Sequence, residues 1–81
     1  MSLISDKDWN QLSNALRRLE SLALTRTLGS LEITAETSRA SNPWPVAMLV
    51  GVTVRRNGRV EQRQWFESVE QAKREVRRWR F

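Results

Sequence analysis

Val46, Met48, Val50, Val52 and Val54 alternate with Ala47, Leu49, Gly51, Thr53 and Arg55. Period-two spacing of β-branched residues predicts a strand with one buried face. Arg56-Asn57-Gly58-Arg59 follows, and Asn-Gly is the pair that best tolerates the positive φ of a tight hairpin. The run to Phe66 returns as a second strand. Two registers are open. A two-residue loop places Val54 opposite Glu61. A three-residue loop with Gly58 as a left-handed bulge residue places Val54 opposite Val60 and Met48 opposite Phe66. The second keeps the apolar residues on one face, and a one-residue slip would invert every side chain, so the second is expected.

Upstream, Ser5 and Asp8 have the spacing of a capping box, with Ile4 and Trp9 as its hydrophobic staple. Trp9, Leu12, Leu16, Leu19 and Ala23 then repeat at 3-4-3-4 spacing. This predicts an amphipathic helix from about Asp6 to about Leu24. Gly29 reads as a helix stop, and Thr25 to Gly29 as a frayed turn or connector. Leu31, Ile33 and Ala35 alternate with Glu32, Thr34 and Glu36, which predicts a strand over 30–37. Trp44 is held between Pro43 and Pro45. It either caps an open end of the core or offers an aromatic contact. At the C-terminal side, Ser68 starts a second helix whose stripe is Val69, Ala72, Val76 and Trp79.

The expected fold is therefore a small two-layer α+β domain spanning residues 1–81. Its order is helix, three-stranded antiparallel meander, helix, with both helices on one face of the sheet. The other face, carrying Leu49, Thr53, Arg55, Glu61, Arg63 and Trp65, is left without cover.

Charge changes this picture. Through Val54, Lys7, Arg17, Arg18, Arg26 and Arg39 balance Asp6, Asp8, Glu20, Glu32 and Glu36. The net charge of +5 therefore sits entirely in the last third of the chain. Such asymmetry points to an acidic partner, nucleic acid first. Arg55, Arg59 and Arg63 on the hairpin and Lys73, Arg77, Arg78 and Arg80 on the last helix would contact phosphates. The alternative is a protein-interaction module, a small adaptor or inhibitor of the kind phages and mobile elements carry. It would dock, or pair with a second copy, through Trp44, Leu49 and Trp65 on the open face.

Candidate chemistry narrows the classes further. The chain has no His and no Cys, which removes the usual general base, the thiolate nucleophile and the disulfide framework. Glu32 and Glu36 would lie roughly 13 Å apart on a strand, too far to act as a carboxylate pair. Neither a glycine-rich phosphate loop nor metal-ligand spacing is present. A non-enzymatic protein without cofactor or metal is expected. It has neither a signal-peptide pattern nor an apolar run of membrane-spanning length, so a cytoplasmic protein without membrane contact is expected.

The expected element order is similar to that of the double-stranded RNA-binding domain. That family's basic cluster at the start of the last helix corresponds here to a neighbourhood holding Glu67 and Glu70. In place of its Gly-Pro-His loop stands Asn42-Pro43-Trp44-Pro45. The resemblance covers topology alone.

Overall fold

The computed structural model describes residues 3–39 and 48–79. Two helices and four strands follow in the order α1 (Asp6–Arg17), β1 (Ala23–Leu28), β2 (Leu31–Arg39), β3 (Met48–Arg56), β4 (Arg59–Phe66) and α2 (Val69–Val76). The strands form one antiparallel sheet in the order β1-β2-β3-β4. The fold is thus α+β, but with four strands where three are expected from the sequence pattern. The likeness in element order to the double-stranded RNA-binding domain ends at the same point.

The additional strand is β1. It occupies Ala23 to Leu28, part of which the helical stripe had claimed. Helix α1 starts as its sequence dictates. The Ser5 hydroxyl accepts from the Asp8 backbone N–H at 3.1 Å, and the Ser5 N–H donates to the Asp8 carboxylate at 3.2 Å. It ends seven residues before Leu24, in a Schellman turn. There the Leu19 N–H donates to the Leu16 carbonyl and the Glu20 N–H to the Ala15 carbonyl, with Leu19 at φ 57. Beyond it Leu22, Leu24 and Leu28 alternate with Ala23, Thr25 and Thr27. That run can pair with β2, whose backbone groups would otherwise lie at an open edge. Gly29 is therefore a hairpin residue and not a helix stop. At φ 60 it takes the first position of the two-residue Gly29-Ser30 loop, as a type II′ turn requires. Thr37 fixes the entry to β1. Its hydroxyl accepts from the Leu22 N–H and donates to the Glu20 carbonyl, and its own N–H reaches the Leu22 carbonyl.

The second hairpin corrects the expected register. Asn57 (φ 53) and Gly58 (φ 79) form a two-residue loop closed by Arg56 opposite Arg59, the type I′ arrangement. A bulge at Glu61 then shifts the ladder, so that Arg55 faces Val60 while Val54 faces Gln62 and Val50 faces Phe66. The apolar face of β3 is preserved, as expected, but by a bulge within β4 and not by a three-residue loop. The consequence falls on Val60. It joins Arg55 on the far face and is 52% exposed.

Both helices pack on the face formed by Ile33, Ala35, Val50, Val52, Val54 and Phe66, joining one buried cluster with Trp9, Leu12, Ala72 and Val76. The Phe66 and Trp79 rings stand 6.3 Å apart, tilted. The Ser68 hydroxyl accepts from the Gln71 N–H and caps α2. Two ion pairs tie α1 to the rest. Asp8 receives Arg26 of β1 through two bonds, at 2.7 and 3.2 Å, and Lys73 of α2 reaches Asp6 at 3.0 Å. Among the described residues, no helix is long and apolar enough to cross a membrane.

Two outcomes follow from this geometry. Leucine in the left-handed region costs about 1–2 kcal/mol that glycine avoids, and the Leu19 side chain is 61% exposed. Leu19→Gly should therefore raise stability by about 0.5–1 kcal/mol, measured as a thermal midpoint several degrees higher. The second outcome concerns acid. Burial works against ionisation of Asp8, but the hydrogen bonds from Arg26 and Ser5 outweigh it and lower its pKa. A hydrogen bond from Lys73 and that residue's charge lower the pKa of Asp6. Both carboxyls bind protons less readily folded than unfolded. Their contribution is complete above about pH 5 and fades as pH falls through their lowered values. In urea titrations, Asp8→Ala should cost about 1–2 kcal/mol at neutral pH and flatten the acid limb. An acid limb as steep as that of the unsubstituted protein would show that Asp8 does not carry it.

Candidate binding face

Register places three complete rows of side chains across the face that the helices leave uncovered. Ala23, Glu36, Gly51 and Trp65 form one. Thr25, Thr34, Thr53 and Arg63 form the next. Thr27, Glu32, Arg55 and Val60 form the third. Leu49 and its partner Ser38 lie on the same face beyond the first row.

The main apolar feature of this face is a contact between two residues near one corner. A Cβ added to Gly51 would stand 2.5 Å from Cζ3 and 2.7 Å from Cε3 of Trp65. The indole therefore fills the space above a strand position that has no side chain. Glycine in a strand interior costs about 0.5–1 kcal/mol relative to alanine. Here it gives a neighbouring aromatic a seat, which is a recurrent reason for such a glycine. The ring remains 40% exposed. The Arg63 guanidinium lies 5.8 Å from its centroid, within cation–π range. Thr53, in the adjacent row, is only 3% exposed, and the Thr25 and Thr34 hydroxyls share a hydrogen bond of 3.1 Å.

Large side chains belong to one edge strand of the face and small ones to the other. Trp65, Arg63 and Val60 rise from β4, whereas β1 contributes Ala23, Thr25 and Thr27. Charge is divided similarly. Arg55 and Arg63 come from β3 and β4, Glu32 and Glu36 from β2, and Arg55 reaches Glu32 at 3.5 Å.

The cations expected to act on nucleic acid are placed in separate regions. Arg55 and Arg63 belong to the open face. Arg59 closes the hairpin loop opposite Arg56, whose own guanidinium is held by Glu61 at 2.8 Å. Lys73, Arg77 and Arg78 belong to α2 or its C-terminal end, in the layer on the opposite side of the sheet. There Lys73 pairs with Asp6, and Arg78 lies 3.7 Å from Glu75. Lys73, Arg74 and Arg77 line a shallow groove together with Glu70. Of the expected protein-contact residues, Trp65 and half-buried Leu49 are neighbours on the open face. Trp44 and Arg80 lie outside the described residues. Sequence reasoning overlooked the role of Gly51, although a lone glycine inside a valine-rich strand is itself a signal of close approach. Among the described residues, no cluster of acidic side chains could hold a metal ion.

Compared with protein-family models, curated proteins and solved structures, the chain matches none.

The Gly51–Trp65 seat predicts a change of sign. Gly51→Ala should destabilise the protein, because the ring must move. In a Trp65→Ala background the same substitution should be neutral or stabilising by up to about 1 kcal/mol, as strand propensity then prevails. Equal effects of Gly51→Ala in both backgrounds would show that the two residues are not coupled.

Proposed function

We propose that this protein is a non-enzymatic interaction module that docks on a protein surface through the open sheet face, with Trp65 as the anchor. The observation that carries the reading is the seat of Trp65 on Gly51. An aromatic held in place loses little conformational freedom on contact, and anchors of this kind contribute most to protein interfaces. Leu49 extends the apolar patch. The threonine row offers a flat hydroxyl-bearing floor, and Glu32, Glu36, Arg55 and Arg63 supply a rim of both signs. Such a rim suits a protein surface better than a phosphate backbone, because the two glutamates would repel phosphate. The absence of His and Cys from the sequence agrees with a binding role.

A second reading has its own support in the groove where Lys73, Arg74 and Arg77 converge. In this reading α2, and not the sheet, would meet nucleic-acid phosphates. Glu70 in the same groove and the Lys73–Asp6 pair weaken it.

Affinity capture from nuclease-treated lysate of the native host tests the first reading. Trp65→Ala should lose the partners held by the unsubstituted chain while keeping its circular dichroism spectrum. An unchanged partner set would contradict docking through this face. Binding to RNA or DNA that falls steeply with salt, survives Trp65→Ala and is lost with Lys73→Glu and Arg77→Glu would favour the second.

A further inference from the structure

We infer that the surface this face accepts is the same face of a second copy of the chain; the inference rests on the open-face reading above. A two-fold symmetric interface must be complementary to itself. The open face meets that condition about one particular axis, which runs along the strands midway between β2 and β3. Rotation about it lays β4 over the partner's β1 and β3 over the partner's β2, with residues of one cross-strand row remaining at the same level.

Charge then matches across the axis. The Trp65 indole, seated over Gly51, comes over Glu36 of the second copy beside its short Ala23, and Arg63 falls over Thr25. Arg55 falls over Glu32 and Glu32 over Arg55, so the ion pair present in each chain becomes a ring of four alternating charges. The threonine row lies over itself, Thr53 against Thr34. The in-plane axis at right angles to the strands gives no such match. It stacks β4 on β4 and β2 on β2, bringing Arg63 towards Arg63 and the glutamates towards one another, a costly arrangement. Two sheets packed face to face often keep their mean strand directions within about 30°; either axis does so, and charge decides between them.

The size of the face sets the strength. Four strands about 4.8 Å apart and six residues of about 3.3 Å each give a patch of roughly 400 Å² per copy. This is about half the area of a standard specific interface and in the range of weak transient contacts, so self-pairing is weak and depends on concentration.

Sedimentation equilibrium from micromolar to millimolar chain tests the pairing. Thr25 and Arg63 are three strands apart in one chain, roughly 14 Å, and can meet only across the two-fold axis. The unsubstituted chain should show a monomer–dimer equilibrium. Thr25→Arg, which sets like charges against one another at two symmetric contacts, should weaken it roughly tenfold, and Arg63→Glu, which meets only the uncharged Thr25, should weaken it less. The chain carrying both substitutions should recover most of that loss, because opposite charges then face one another. A dimer whose doubly substituted form is no tighter than the two single effects combined overturns this pairing. A chain that stays monomeric throughout overturns it as well. If that monomer loses a different protein partner with Trp65→Ala, the open-face reading stands and only the self-pairing falls.

Discussion

Val50, Val52 and Val54 retain no exposed surface, and the burial of this one side of β3 is the constraint on which the rest of the structure depends. A strand offers its side chains alternately to two faces. Sealing one face with α1 and α2 leaves Leu49, Gly51, Thr53 and Arg55 on the other. Two short helices of 12 and 8 residues have enough surface to cover one side only. The chain therefore has a core side and an open side, and the composition of each follows. Ala72, at 0% exposed, lets α2 sit close to the sheet. Gln62 and Gln64 occupy the β4 positions facing Val54 and Val52 and stay exposed, since the apolar contact of β4 with the core is made at Phe66.

The same constraint governs the charges. An excess concentrated in the last third of the sequence suggests one cationic surface, but the sheet lies between its members. Arg55 and Arg63 project to the open side, while Lys73, Arg74 and Arg77 belong to the helical layer. Two are also matched by acids distant in sequence, Glu32 for Arg55 and Asp6 for Lys73. Linear charge density is therefore a poor guide to surface potential here, and the mixed rim around Trp65 is the more informative feature.

Much of the architecture was legible because local and tertiary preferences agree. The Ser5–Asp8 capping box, the Ser68 cap, the alternation of β3 and the stripe of α2 all appear where their patterns place them. Disagreement arose where two periods overlap. Leu19, Leu22 and Ala23 satisfy a helix stripe, while Leu22, Leu24 and Leu28 satisfy a strand. Pairing with β2 decides between them, and no local window contains β2. Gly29-Ser30 was the available hairpin signal. The bulge at Glu61 was hidden for a related reason. Parity alone requires that Val54 face an even-numbered residue, and both a longer loop and a bulge meet that requirement. Of the candidate site, Trp65, Leu49 and the two open-face arginines were legible from alternation. The seat on Gly51 needed the register.

The account stands on the two faces of one sheet having opposite fates, and the chain's lack of cysteine makes this directly measurable. Single thiols introduced by Val52→Cys and by Thr27→Cys can be labelled under native conditions. The account predicts that the thiol at position 52 reacts only as fast as the whole protein unfolds, while that at 27 reacts nearly as fast as in the unfolded chain. Rapid labelling at 52, or equal protection at both positions, would contradict it.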